Sequence, residues 1–178
     1  MKDNEFRVLA ALMTDSRQSD RELAKIIGVS QPTVTRTRLK LEKEGYIREY
    51  TAIPDFSKIG YSICAFTFAK FQTSRDINEM RKLIQSYGER LSEIPQAILI
   101  ERGMSANADG IVVSFHDTYS DYTKFQSWLR QFSPISTYGL STFIIDLKDE
   151  FQIRSLTFKT LAKHILSIHG ASKKENED

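Results

Sequence analysis

Along the first sixty residues the apolar positions recur at helical spacing in three short runs. Phe6, Leu9, Ala10 and Met13 stand at i, i+3, i+4 and i+7, one face of a helix that Asp3 or Asn4 is placed to cap. Thr14, Asp15 and Ser16 break the period. Ser19 opens a second run with Glu22 three residues on, a capping box, and Leu23, Ala24, Ile26 and Ile27 supply its apolar face before Gly28 ends it. The third run is capped by Ser30, takes Pro32 in its first turn, where a missing N–H costs little, and ends at Gly45. At about 100° per residue, Val34, the stem of Arg38 and Leu41 share one side of this helix. Pro32, Thr33, Arg36, Lys40 and Lys43 share the other. Residues 46–53 then alternate and are rich in β-branched and aromatic side chains, as a strand or small wing would be, and Pro54 stops them.

The period changes after residue 60. Residues 61–71 form a long apolar, β-prone run, the pattern of a central strand. A helix follows from Ser74 or Asp76, with Ile77, Met80, Leu83, Ile84 and Tyr87 on its inner face. Residues 97–100, 110–115 and 139–147 read as three further strands, and residues 119–129 as a helix with Tyr122, Phe125, Trp128 and Leu129 apolar. The order βαββαβ predicts a ferredoxin-like split βαβ unit. Residues 155–169 add a helix with Leu156, Leu161, Ile165 and Ile168 apolar, which must dock on the sheet, on a neighbouring subunit or on the first domain. The fold class is therefore α+β: a winged helix-turn-helix over 1–60, a ferredoxin-like domain over 61–151, and a C-terminal helix and tail over 152–178.

Composition changes this picture little. The chain has 178 residues, 27% of them charged and 40% hydrophobic, an ordinary globular balance. Its formal charge of only +2 does not by itself call for nucleic acid. The distribution does: over residues 30–43, Arg36, Arg38, Lys40 and Lys43 stand against the single acid Glu42. Two short helices joined by a glycine turn, the second basic and hydroxyl-rich, make a helix-turn-helix whose second helix lies in a DNA major groove. Arginine and lysine neutralise phosphates there, while Thr, Gln and Arg reach base edges. The candidate DNA-binding residues are Ser30, Gln31, Thr33, Thr35, Arg36, Arg38, Lys40 and Lys43.

Little else in the sequence asks for chemistry. His116, His164 and His169 lack metal-cluster spacing, and Cys64, the single cysteine, sits in an apolar run as a small buried hydrophobe. There is no glycine-rich phosphate loop. No metal, cofactor or catalytic residue is expected, and the protein is not read as an enzyme. The polar start of the chain is not a signal peptide, and no apolar run approaches the ~20 residues of a membrane span, so a cytoplasmic location is expected. The sheet face of a small ferredoxin-like unit is easily left uncovered, and self-association would bury it.

Arg17, Glu22-Leu23-Ala24, Gly28-Val29-Ser30, Val34, Arg36, Leu41-Glu42, Gly45, Ile47, Tyr50-Thr51-Ala52 and Gly60 also stand at the spacing of a known domain. Over residues 3–60 the chain resembles the N-terminal domain of the Lrp/AsnC family of transcriptional regulators. It departs from that family at Arg38, where an aliphatic residue is usual; here Leu39 follows instead. Either the Arg38 stem lies over the core or the helix is slightly rotated. The βαββαβ part resembles the family's effector-binding and oligomerisation domain, with the tight Gly-x-x-Asp link stretched to residues 103–110. The resemblance implies sequence-specific binding to double-stranded DNA, a homodimer or higher homo-oligomer, and a small-molecule effector such as an amino acid. Met104, Ser105, Asn107 and Asp109 in the stretched loop are the candidate effector residues. Two alternatives remain open at this point. Some proteins similar in fold decarboxylate haem precursors through a His-Asn-Tyr type motif, where this chain reads Glu101-Arg102-Gly103-Met104 without a histidine. The other alternative is a ligand-sensing module whose winged helix makes only protein contacts.

Overall fold

Three helices open the chain in a computed structural model that describes all residues except 72–76, 104, 132–134 and 172–178. They are α1 (Asp3–Thr14), α2 (Asp20–Ile27) and α3 (Gln31–Lys43). The chain falls into two compact units, one built from residues 1–53 and 154–178, the other from residues 54–153. The boundary thus lies at Pro54 rather than at 61, and the C-terminal helix joins the first unit instead of standing apart.

In the first unit the helices close around Val8, Leu12, Leu23, Ala24, Ile27, Val34 and Leu41. Leu23, Ala24, Ile27, Val34 and Leu41 are positions that helical periodicity placed inward. By contrast, α1 turns Val8, Ala10 and Leu12 fully inward and leaves Phe6, Leu9 and Met13 half-buried, and Ile26 of α2 is exposed. Burial of this core is the main force holding the three helices together. The ends are set by local chemistry. Ser19 and Glu22 exchange bonds in a capping box, Glu22 N–H to Ser19 Oγ at 3.3 Å and Ser19 N–H to Glu22 Oε2 at 2.8 Å. Gly28 (φ 77°) and Gly45 (φ 74°) take the left-handed conformation that ends α2 and follows α3, which a side chain would strain. At the start of α1, Asp3 and Asn4 lie inside the first turn rather than capping it; Lys2 holds the cap position and its backbone N–H reaches Glu5.

Residues 46–53 form no strand. Alternation alone does not make one, because a strand needs a ladder partner. The Tyr46 and Ile47 amides instead cap α3 through the Leu41 carbonyl, and the Tyr50 hydroxyl donates to Glu42 at 2.7 Å.

The fourth element of the first unit is α6 (Lys159–Ala171), which packs on α1. Of the three docking places open to it from sequence, this is the first domain. The Phe6 and His169 rings stack with centroids 3.6 Å apart. Among the described residues of the helix Ala162 is the most buried, while Leu161 and Ile168 are largely exposed and Ile165 is half-buried.

The second unit contains β1 (Ile63–Phe71), α4 (Ile77–Ser92), β2 (Ala97–Arg102), β3 (Gly110–His116), α5 (Tyr119–Leu129) and β4 (Ile135–Asp146). The sheet order is β2-β3-β1-β4, antiparallel throughout, so two βαβ units interleave as the sequence order predicts. The start of α4 and the side chains of Ile77, Met80, Leu83, Ile84 and Tyr87, its expected inner face, lie outside the described residues. On one face of the sheet α5 buries Tyr122 against Ile63 and Ala65, and Phe125 and Leu129 against Val112. The opposite face carries a cross-strand row, Leu99–Val113–Phe66–Phe143, set by the strand registers. Phe56 and Tyr61 shelter one corner of that face, with the Phe56 ring stacked on Phe115 at 3.9 Å. The two ends of the row stay open, Phe143 at 65% and Leu99 at 44% exposure.

Candidate nucleic-acid interface

The outward face of α3 follows from which of its side chains the rest of the unit claims. Val34 and Leu41 are fully buried and fix the rotation of the helix about its axis. Ser30 caps it, its hydroxyl taking the Thr33 N–H at 3.4 Å and sharing a bond with the Thr33 hydroxyl at 2.8 Å.

Arg38 then turns inward. Its guanidinium grips Asp20 with two nitrogens, at 2.9 and 3.2 Å, and reaches Glu42 at 2.8 Å. The Thr35 hydroxyl donates to the same Asp20 carboxylate at 2.6 Å. Asp20 therefore ties the first turn of α2 to two successive turns of α3. The Arg38 guanidinium beside it holds the Asp20 carboxyl below the usual range, and the two carboxylates in turn push the Arg38 pKa up. Glu42 is likewise held low, by the Tyr50 hydroxyl first and Arg38 second. Of the two possibilities open for Arg38 from sequence, the structure takes the inward one, with the charge paired rather than merely carried on a buried stem.

Lys40 is also claimed. Its ammonium lies 2.6 Å from the buried Glu5 of α1 and 3.8 Å from Glu44. The Lys40 hydrogen bond is the main reason the Glu5 carboxyl is held low. Arg38 and Lys40, both expected on the DNA, are thus intradomain struts. The sequence concealed this because their acidic partners lie 18 and 35 residues away in the chain. Only the Arg38–Glu42 pair was visible in advance, as an i, i+4 spacing.

What remains outward is Gln31, Pro32, Thr35, Arg36, Leu39 and Lys43. The first five line a shallow open depression. Arg36 and Lys43 are exposed, and among the described residues neither takes part in an ion pair. The helix thus presents an amide, a guanidinium and an ammonium to solvent, with its capped N-terminus beside them. That is chemistry for phosphates and base edges.

The second unit holds the other candidate residues. In the loop between β2 and β3, Ser105 closes a tight turn by accepting the Ala108 N–H at 2.9 Å, and Asn107 is exposed. Asp109 is anchored by Lys70 of β1 at 3.0 Å. Met104 lies outside the described residues. Burial raises the Cys64 thiol pKa, as suits a packed hydrophobe.

His116 is bound to groups that the sequence did not bring to notice. Its Nδ1 lies 2.8 Å from Asp121 and its Nε2 2.9 Å from Ser114 Oγ. The order Ser-His-Asp imitates a hydrolase triad. Here, however, Ser114 and His116 are both fully buried, so no substrate reaches the hydroxyl. The array pins β3 to the first turn of α5.

The comparisons with known proteins agree with this layout. Residues 1–48 match a family described as winged helix-turn-helix DNA-binding. The leucine-responsive regulatory protein of Rhizobium meliloti is 35% identical over 74 residues, covering 42% of this chain and 47% of that protein. Over that stretch the chain is similar to Lrp and AsnC regulators. It spans about half the length of the curated relatives it matches. An AsnC family transcriptional regulator from Agrobacterium tumefaciens has the same fold, with a TM-score of 0.70 and 22% identity over 90% of this chain and 99% of that one. So does a transcriptional regulator from Neisseria meningitidis solved in complex with L-Met, with a TM-score of 0.71 and 15% identity over 90% and 99% of the two chains. The chain joins an N-terminal helix-turn-helix to a four-stranded antiparallel sheet. No helix among its described residues is long and apolar enough to cross a membrane.

Proposed function

We propose that this chain is a sequence-specific transcriptional regulator of the Lrp/AsnC type, acting on double-stranded DNA as a homodimer or higher homo-oligomer. The observation that carries the reading is the unclaimed outward face of α3. Its neighbours on the helix are paired internally, and Gln31, Arg36 and Lys43 are left for a polyanion. Salt dependence tests it. Removing a cation that neutralises one phosphate should flatten the log–log salt dependence of duplex binding by about 0.9. Lys43→Ala is expected to flatten it by about that much. Lys40→Ala is expected to flatten it less, because the Lys40 charge is already met by Glu5. Equal effects of the two would contradict this assignment, and no salt-dependent binding at all would favour a module that makes only protein contacts.

The open face of the sheet supports the oligomeric part of the proposal. A row of four apolar side chains with its ends exposed is costly in water, and a second copy of the same face buries it with two-fold symmetry. Phe143→Asp places a charge in the exposed end of that row. Sedimentation equilibrium at micromolar concentration is expected to give a dimer or larger for the unaltered chain and a monomer for the variant. A monomer in both cases removes this part of the reading.

The effector reading extends the same proposal. A structural neighbour was solved with L-Met, which supports an amino acid as the class of ligand. Ser105, Asn107 and Asp109 offer a hydroxyl, an amide and a carboxylate in one loop, and Met104 belongs to the same stretch.

A further inference from the structure

We infer that Leu39 is a specificity-determining residue of the reading helix, and that its half-site presents a thymine 5-methyl group next to the base pair met by Arg36. The inference rests on the regulatory reading above and adds the chemistry of the bases that the helix selects.

Leu39 is 53% exposed on a helix whose other large aliphatic side chains, Val34 and Leu41, are fully buried. Its exposure is imposed by its neighbours. Arg38 is held inward by Asp20 and Glu42, and Val34 and Leu41 fill the core, so α3 cannot rotate to carry Leu39 inside. At 100° per residue Leu39 lies near the midline of the outward face, between Thr35 one turn before it and Lys43 one turn after. Pro32, Thr35 and Leu39 give that midline an apolar strip, with Arg36 beside it.

The rim decides what this strip meets. An apolar strip flanked by an unpaired guanidinium and an unpaired ammonium, on a helix with a capped and open N-terminus, complements a polyanion rather than an apolar protein groove. In the major groove the apolar group offered by a base edge is the thymine methyl, while guanine offers the paired acceptors that suit an arginine fork. Leu39 and Arg36 lie three residues apart on one face, so the two contacts fall on neighbouring base pairs.

The test uses the full chain and a duplex enriched from a random library by repeated selection. Each thymine of the recovered half-site is replaced singly by deoxyuridine, which removes the methyl and leaves every hydrogen-bonding group in place. One replacement is expected to weaken binding about fourfold, the cost of stripping one methyl from an apolar contact. Leu39→Ala, at an exposed position where alanine suits a helix, is expected to bind the thymine and uracil duplexes equally. The inference is overturned if no replacement weakens binding, or if Leu39→Ala keeps the thymine preference, which would assign the methyl to Pro32 or Thr35. A chain that enriches no duplex overturns the regulatory reading itself, and the inference with it.

Discussion

Arg36→Ala is expected to weaken binding to the preferred duplex by about 1–3 kcal/mol, roughly 5- to 150-fold, while binding to unrelated DNA changes little. The size follows from the geometry of α3. Arg36 is the one arginine of the helix that no carboxylate of the described residues holds, whereas Arg38 spends its guanidinium on Asp20 and Glu42. An unpaired guanidinium on the outward face reaches a base pair without first breaking an internal ion pair. If it forms a two-pronged bond to guanine, its loss falls on one sequence and not on another. Arg36→Lys separates the possibilities further. Lysine keeps the charge but lacks the planar fork, so a base-reading role predicts that it rescues little of the discrimination. Equal losses on preferred and random duplexes would reduce Arg36 to a phosphate contact. No loss in either would remove α3 from the DNA.

The contrast between Arg36 and Arg38 shows how far the sequence could be read. Helix ends were legible because caps are local: Ser19 with Glu22, Ser30 with Thr33, and the two glycines each act within a turn of the bond they make. Most of the core of the first unit was legible for a similar reason, since helical period alone places Leu23, Val34 and Leu41 inward. But α1 is apolar at Phe6, Val8, Leu9, Leu12 and Met13 alike, so period did not single out Val8 and Leu12 as its buried side. The strand order of the second unit followed from short connections and alternating pattern. Partner choice among charged side chains was not legible. Four cations on one helix look equivalent in a sequence. Only folding brings Asp20 beside Arg38 and Glu5 beneath Lys40, and so divides the four into two struts and two free groups. The order Arg38-Leu39 was the available signal. An arginine at an inward position requires an acid nearby, and the leucine displaced outward requires a reason to be there. Residues 46–53 failed for a different reason. Their alternation is real, but a strand is a property of a pair, and no described strand of the first unit lies beside them.

Removing residues 154–178 is expected to lower the melting temperature of the first unit by about 10 °C or more and to weaken DNA binding with it. The deletion strips α6 from α1, leaving the Phe6 ring and the α1 surface that α6 covers in water. Several half-buried side chains and one ring stack together contribute on the order of 2–4 kcal/mol. In a unit of this size each kcal/mol moves the midpoint by about 4–8 °C. The loss passes to the DNA-binding face because α1 also supports α3: Val8 and Leu12 pack in the same core as Val34 and Leu41, and Glu5 holds Lys40. The sheet unit, whose core is separate, is expected to keep its own transition and its oligomeric mass, so calorimetry of the full and shortened chains reads the two effects apart. Ala162→Arg makes the same point without shortening the chain. The arginine has no room at this fully buried position, so the first unit's transition should fall again, whereas substitution of the exposed Lys163 at the next position should leave it unchanged. An unaltered first transition in both the shortened chain and Ala162→Arg would mean that α6 adds nothing to the DNA-binding unit. A drop in oligomeric mass with that transition intact would make α6 an element of the subunit interface instead.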